Sequence, residues 1–348
     1  MGSKKERKLK AQAKKTTQNS SAVGTEKQPV EKKAKKLEQK LQITTASRPL
    51  WTIVIIVVGV MLLEFLFQFM LNTVVTDQYM KAHPELTETA AIRDAVAQYM
   101  EQNPIFFVLR RIIYNLSGIL ALMLLFGRVE KEQLPEIGFS NPRFRGGNII
   151  IGVVISALAV FCAYALLTVL EYIEPTGAFV FSWLQPLWVV NFVLMSFFEE
   201  MFFHGYLVFK LGKLKPVWIV LITSVVFALW GGLPSTNPII YLNYLILGAF
   251  LCFTRIKFDS LWFGIAFRFG WTLTSGVFLS IYTNPNLCPG ILEHSGLATN
   301  FLAGNQAGFE NGMIATIILS MCFIVVYKIS QSRQTRFQRR LTKDGYIR

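Results

Sequence analysis

The hydrophobic residues of this chain fall into long blocks that short polar stretches separate. A helix that crosses a bilayer needs about 20 predominantly apolar residues. Eight segments have this character, at about 51–72, 105–126, 148–171, 185–209, 216–232, 238–255, 260–281 and 310–328. The pattern therefore predicts an all-α, polytopic membrane protein with about eight transmembrane helices.

The charged residues between these blocks predict the orientation of the chain. If the N-terminus is cytoplasmic, the loops at 282–309, 231–238 and 172–184 lie outside, and they contain no Lys or Arg. The fourth outer loop, 73–104, has only Lys81 and Arg93. Positive residues accumulate in cytoplasmic loops of membrane proteins. We therefore expect a multi-pass protein of the cell membrane with both termini in the cytoplasm.

Two of the outer loops differ in pattern. In the first, apolar residues at Ile92, Val96, Tyr99 and Met100 follow helical spacing and predict a short surface helix. The last outer loop, 282–309, is rich in Gly and Asn and has few apolar runs. Such a composition favours an irregular loop.

The net charge of +14 belongs to the two ends of the chain. Residues 1–50 hold 14 Lys or Arg against four acids, and residues 328–348 hold seven against one. We predict a basic, mostly disordered cytoplasmic tail at 1–50, a transmembrane domain at 51–328 and a second basic tail at 329–348. Since no aromatic residue precedes Trp51 to stack on bases, the tails favour a membrane surface over nucleic acid.

Cysteine and histidine residues are too scattered to predict a metal site. The four cysteines have no paired spacing, and His204 is the only histidine in a predicted span. A zinc site usually takes three or four such ligands. The sequence therefore predicts no metal and no cofactor.

Several charged residues lie inside the apolar blocks, where charge is costly. Glu64 in the first span and Arg110 and Arg111 in the second lie at matching depths from the outer ends. An ion pair that joins the first two helices is the simplest interpretation. A role of these charges in transport stays open.

Adjacent carboxylates occur in the fourth span, in the stretch FFEEMFFHGYL. Glu199 and Glu200 point about 100° apart on a helix, and His204 lies one turn beyond Glu200 on the same face. Glu200 and His204 can form a buried hydrogen-bonded pair or one half of a metal site. The pattern favours the buried pair.

These residues lie in a segment that resembles the CPBP family (CAAX protease and bacteriocin-processing, Abi) of intramembrane proteases. EEMFFHGYL resembles the family's EExxxRGxL element, SVVFALWGG its FxxxH element, and SLWFGIAFRFGWTLTSG its third motif. IGFSNPRFRGG, before the third span, also resembles the usual entry into the family's core. The resemblance covers about 105–281 and implies a CAAX-protease-like helical core.

The resemblance places the family's functional residues at positions of this chain that have changed. Glu199 and Glu200 match the motif glutamates, and His204 stands in place of the motif arginine. The second-motif histidine falls on Gly231; the third-motif histidine and asparagine fall on Arg268 and Thr272. In the family, the first glutamate and the second-motif histidine activate water, and the third-motif pair stabilises the oxyanion.

These changes imply a degenerate site. Glycine offers no side chain to orient water beside a catalytic base. Arg268 could donate to an oxyanion, but a permanent cation in place of histidine is better suited to neutralise Glu199 or Glu200. We therefore interpret the six motif positions as vestigial and the chain as a pseudo-protease whose glutamates join the fourth and seventh helices.

By resemblance, the chain is similar to the non-catalytic CPBP regulators of Gram-positive bacteria, which include the staphylococcal lysostaphin-resistance and surface-protein display regulator. This branch implies a scaffold or regulator of a cell-envelope partner, such as a membrane-anchored peptidoglycan hydrolase or a sensor histidine kinase. Two alternatives stay open. One is an active endopeptidase that uses Glu199, Glu200 and His204, the only case in which zinc is expected. The other is a transporter or bacteriocin-immunity protein.

Overall fold

The computed structural model describes residues 51–343, except 86, 131–132, 140, 234, 296 and 306. Within this range, side chains are described at all positions but 144 and 332–343. The predicted disordered tail at 1–50 and the last five residues lie outside the described residues.

The described chain is mostly helical, which confirms the predicted all-α fold. The helices are α1 Trp51–Ala82, α2 Thr89–Gln102, α3 Pro104–Leu125, α4 Gly146–Val169, α5 Leu184–Glu199, α6 Val208–Leu211, α7 Pro216–Gly232, α8 Pro238–Phe258, α9 Trp262–Leu273 and α10 Met313–Lys343. Wider π-helical turns occupy Phe126–Glu130, Glu200–Leu207 and Thr274–Phe278, and 3-10 turns occupy Leu134–Ile137, Pro142–Phe144 and Phe309–Asn311.

Six of these helical segments are long and apolar enough to cross a membrane. They are Trp51–Ala82, Pro104–Glu130, Gly146–Val169, Leu184–Leu211, Pro238–Phe258 and Met313–Gln331. The other two predicted spans are also helical but shorter. Helix α7 has 17 residues, and α9 has 12 residues before its π-helical turn. All eight predicted segments are therefore helices, and six have full spanning length.

Proline and asparagine set the starts of two spanning helices. Pro104 and Pro238 occupy the first turns of α3 and α8, where a missing backbone N–H costs nothing. The side chains of Asn103 and Asn237 each accept a hydrogen bond of 3.0 Å from the backbone N–H two residues on. These caps fix where the chain enters each helix.

The ends of α1, α3 and α6 that we predict to be cytoplasmic meet at one end of the bundle. We call this the inner end. Thr52, at the start of α1, donates a 2.7 Å hydrogen bond to Glu130. The Lys210 Nζ of α6 lies 2.9 Å from the same carboxylate and 2.6 Å from the Thr52 hydroxyl. The opposite end of the bundle is called the outer end.

The surface helix predicted in the first outer loop is present as α2. Ile92, Val96 and Met100 are buried and pack with Val75 of α1. The spacing of the apolar positions therefore identified both the helix and its packed face.

The last outer loop is not wholly irregular, which corrects the prediction for 282–309. Leu292–His294 forms strand β2 and pairs antiparallel with strand β1, Pro175–Phe179, from another outer loop. The two loops lie more than 100 residues apart in sequence, so neither shows the pairing by its own pattern. Their pairing satisfies backbone groups that an isolated loop would leave to solvent.

The ion pair predicted between Glu64 and Arg110 or Arg111 is not a direct contact in the structure, although the charge of Arg110 acts on the Glu64 carboxylate. Among the described residues, neither arginine has a nitrogen within 4.0 Å of the Glu64 carboxylate. The Arg111 guanidinium turns the other way and lies 4.8 Å from the ring centroid of Phe107. Arg110 is exposed, and its backbone carbonyl accepts a hydrogen bond from Gln68. The matching depths of Glu64 and the two arginines in their helices did not reveal these side-chain directions.

Close helix contacts bring the motif-bearing segments together. At Gly152 of α4, an added Cβ would lie 2.8 Å from the Phe263 carbonyl oxygen of α9. Glycine therefore allows these two helices to approach closely. Aromatic side chains fill the neighbouring core, including the fully buried set Phe198, Phe203, Phe227, Phe250, Phe267 and Trp271.

Candidate functional site in the helical core

Glu199 and Glu200 lie at the junction where α5 gives way to a π-helical turn. Glu199 is the last residue of α5, and Glu200 begins the turn Glu200–Leu207. Both side chains are buried. π-helical turns inside α-helices often occur at functional sites. The two carboxylates point to different neighbours, so each one belongs to a separate cluster.

Arg268 of α9 is the partner of Glu199. Its Nε donates a 2.8 Å hydrogen bond to Glu199 Oε2, and its Nη1 lies 3.3 Å from Glu310 Oε1. Its Nη2 donates a 3.2 Å hydrogen bond to the Tyr244 hydroxyl. Each of the three guanidinium nitrogens therefore makes one of these contacts. The structure confirms the expected neutralisation of one motif glutamate by Arg268.

Glu310 enters this cluster from the outer end of the bundle. It lies in the 3-10 turn Phe309–Asn311, just before α10, and its carboxylate accepts a 2.6 Å hydrogen bond from Trp271 Nε1. The Asn243 side chain of α8 donates 2.7 Å and 3.1 Å hydrogen bonds to the carbonyls of Glu310 and Gly312. These bonds fix the turn against the core.

Two carboxylates thus share one buried guanidinium. The side chains of Glu199 and Glu310 are 11% and 10% exposed, and that of Arg268 is 1% exposed. Removing one member of a buried ion pair is strongly destabilising, because it leaves a charge without compensation. The cluster therefore joins α5, α9 and the start of α10.

The position of the family's second-motif histidine is filled by another side chain. An added Cβ at Gly231 would overlap the Tyr244 ring. Tyr244 also packs 5.4 Å from Phe227 between ring centroids, and its hydroxyl donates to Glu310 Oε2 at 3.4 Å. Glycine at 231 therefore makes room for Tyr244, and no larger residue fits there without moving that ring.

Glu200 forms the second cluster with His204. His204 Nδ1 lies 2.8 Å from Glu200 Oε1, and both side chains are at most 1% exposed. Glu200 Oε2 and His204 Nε2 have no hydrogen-bond partner among the described residues. An added Cβ at Gly264 would overlap Glu200 Oε2, so glycine in α9 makes room for this carboxylate.

Thr272, at the third-motif asparagine position, faces its own helix. Its hydroxyl donates to the Arg268 carbonyl at 3.0 Å and lies 3.3 Å from the Phe269 carbonyl. A hydroxyl bonded in this way satisfies the backbone of α9. The structure therefore places Thr272 beside the Arg268 cluster without bringing its hydroxyl into it.

No group of three His, Cys, Asp or Glu side chains with metal-binding geometry occurs in the described part of the chain. Glu200 and His204 provide two of the three or four ligands that zinc usually takes.

The sequence did not reveal two of the residues that shape the site. Glu310 sits at the edge of the predicted eighth span, and Tyr244 lies inside the sixth without a charge to mark it. The buried contact of Lys210 with Glu130 was also missed, because lysine near a helix end usually reaches solvent. The one signal that the sequence offered for Glu310 was an acid beside an apolar span, in the stretch GFENG.

Comparison with known proteins connects this core to one family. Residues 181–274 match the family model described as Type II CAAX prenyl endopeptidase Rce1-like. The matched part includes Glu199, Glu200, Gly231, Arg268 and Thr272. Searches of curated proteins and of solved structures gave no match.

Proposed function

We propose that this chain is a non-catalytic relative of the CAAX-type endopeptidases and acts as a membrane scaffold or regulator. The filling of the space beside Gly231 by Tyr244 carries this proposal. It means that the water-orienting histidine of the family has neither a side chain nor a space at that position. The match of residues 181–274 to the endopeptidase family supports the ancestry.

The chemistry of the remaining groups supports the same proposal. A general base must reach the proton that it removes, usually through an ordered water. Glu199 already accepts a charged hydrogen bond from Arg268. An oxyanion needs donors aimed at free space. The three nitrogens of Arg268 are instead bonded to Glu199, Glu310 and Tyr244.

The partner that we propose is a cell-envelope protein, by analogy with the regulators that the sequence resembles. A membrane-anchored peptidoglycan hydrolase or a sensor histidine kinase is the expected class. We further propose a location in the cell membrane, with both termini in the cytoplasm. The six apolar helices and the distribution of Lys and Arg support this location.

An active intramembrane endopeptidase is the second candidate, and one observation favours it. Glu200 and His204 are hydrogen-bonded to each other, and each keeps one buried polar atom without a partner. A water bound between those atoms would have a base and an orienting group. This candidate would use Glu200 and His204 in place of the family's arrangement, and it is the only candidate for which zinc is expected.

Purification in mild detergent separates the two candidates. The native chain and a Glu199→Gln/Glu200→Gln variant are analysed side by side for co-purifying proteins and bound metal. A stoichiometric partner retained by both proteins supports a scaffold. Stoichiometric zinc that is lost in the variant, without a stable partner, contradicts it.

A further inference from the structure

A groove of about 740 Å³ lies between α7, α8 and α10, away from the Arg268 cluster. Its lining consists of Val217, Val220, Leu221, Ser224, Leu245, Ile246, Ala249, Ser320, Phe323, Ile324, Tyr327 and Lys328. Leu221 and Ile324 are 49% and 56% exposed, so the groove opens on the outside of the bundle. In a membrane, this surface meets lipid.

The length of the groove is apolar even where it carries hydroxyl groups. Ser224 donates its hydroxyl to the Val220 carbonyl at 2.5 Å, and Ser320 donates to the Thr316 carbonyl at 2.8 Å. Both hydroxyls are therefore bonded to their own helices and make no demand on an occupant. Such a lining suits a hydrocarbon chain.

One end of the groove carries positive charge. Val217 at the start of α7 and Lys328 of α10 line this end, which is the inner end of the bundle. Lys328 is exposed, and the sequence from it onward, 328–348, contains seven Lys or Arg against one acid. A lysine at a membrane interface extends its charge toward headgroups.

We propose that this groove binds one anionic glycerophospholipid from the leaflet at the inner end. An acyl chain occupies the apolar length between α7, α8 and α10, and the phosphate lies beside Lys328. Basic residues close to the membrane surface favour anionic headgroups by about 1 kcal/mol each. The apolar groove and its single charged end thus match the two parts of this ligand.

The size of the groove favours a lipid over a helix from a partner protein. A spanning helix about 10 Å across and 30 Å long occupies roughly 2,400 Å³. The groove offers about 740 Å³ and is open toward the outside of the bundle, so a helix of this size would enter it only in part. A flexible acyl chain can fill such a space, whereas a helix could only lie across its rim.

Native mass spectrometry of the full-length protein tests this proposal. The protein is reconstituted in vesicles of equal parts phosphatidylglycerol and phosphatidylethanolamine and then released in mild detergent. The native chain should retain one phosphatidylglycerol. Lys328→Gln should lower the ratio of retained phosphatidylglycerol to phosphatidylethanolamine about fivefold, as loss of about 1 kcal/mol implies. Ala249→Phe, which fills the groove, should abolish retention of either lipid.

The matched control is Arg128→Gln, which removes one exposed charge at the inner end on the extension of α3. It should leave the lipid ratio unchanged. Equal retention of both lipids by the native chain would overturn the proposal, as would equal effects of Lys328→Gln and Arg128→Gln. A co-purifying protein in place of lipid would also overturn it. If Ala249→Phe does not fold, the surface variant Lys328→Gln decides the outcome.

Discussion

Arg268 Nε lies 2.8 Å from Glu199 Oε2 in the buried core and joins α9 to α5. This contact lies between positions that the resemblance assigns to catalytic residues of an intramembrane protease. A guanidinium on the carboxylate opposes its use as a base, which supports the structural role that we propose for it. The same arginine also reaches Glu310 and so connects the outer turn before α10 to the site.

Replacement of Arg268 should be more destabilising than replacement of either acid. Arg268→Met leaves Glu199 and Glu310 buried without their cation, and we expect a loss of about 3–5 kcal/mol in unfolding free energy. Glu199→Gln leaves Glu310 to pair with the arginine, so its loss should be smaller. Unfolding of both variants in detergent micelles measures the order. Equal losses would contradict a shared cation.

The contact between Gly231 and Tyr244 predicts a non-additive pair of substitutions. Gly231→His should destabilise the protein, because any side chain at 231 overlaps the tyrosine ring. Tyr244→Ala removes that ring and its hydrogen bonds to Arg268 and Glu310. The double variant should therefore be more stable than the two separate losses predict, by about 0.5–3 kcal/mol. Strictly additive losses in a double-mutant cycle would show that the two positions do not compete for space.

Gly264 should tolerate no side chain while Glu200 is present. Gly264→Ala places a methyl group against the Glu200 carboxylate, and we expect a loss of about 1–3 kcal/mol. Glu200→Ala in the same protein should restore part of that stability. Gly127→Ala is the matched control, since nothing lies within 4 Å of an added Cβ there. Thermal unfolding measures the stability of these variants. A similar loss of stability at Gly264 and at Gly127 would exclude the contact with Glu200 as the cause.

His294 should make the outer end of the bundle sensitive to acid. Burial lowers the pKa of His294, although hydrogen bonds to the carbonyls of Ser280 and Leu279 oppose the shift. The unfolded chain therefore takes up a proton more readily than the folded one. Stability is complete above the unfolded pKa of about 6.5 and falls as the pH drops below it.

The variant His294→Gln removes this titration. Its melting temperature between pH 7.5 and pH 5 should fall less than that of the native protein, because glutamine takes up no proton. Parallel curves for the two proteins would mean that His294 does not titrate differently on unfolding.

The sequence predicted two contacts of the site. One joins residues that lie one turn apart on a helix, and the other follows from an arginine that stands in place of a neutral residue. Glu200 and His204 are one turn apart, so their contact follows from helical spacing. Arg268 in place of a neutral residue indicated a nearby acid, and Glu199 is that acid. Apolar spacing likewise identified α2 and the eight helical segments.

The contacts that the sequence did not reveal join distant parts of the chain. The hydrogen bond from Lys210 to Glu130 and the ion pair from Arg268 to Glu310 depend on how the helices rotate against each other. Side-chain direction also explains why Glu64 makes no direct contact with either arginine, because equal depth in two helices does not make two side chains face each other. Pairing of β1 with β2 required knowledge of both outer loops at once.

The central claim, that Glu199 and Glu200 serve structure and not peptide-bond hydrolysis, is tested most directly by sequencing newly formed protein N-termini in membranes. Cells with the native chain are compared with cells that carry Glu199→Gln/Glu200→Gln at equal abundance. We expect the same set of N-termini in both, since under the proposed function neither protein cleaves a substrate. N-termini that appear with the native chain and vanish with the variant would contradict the claim and identify the substrate.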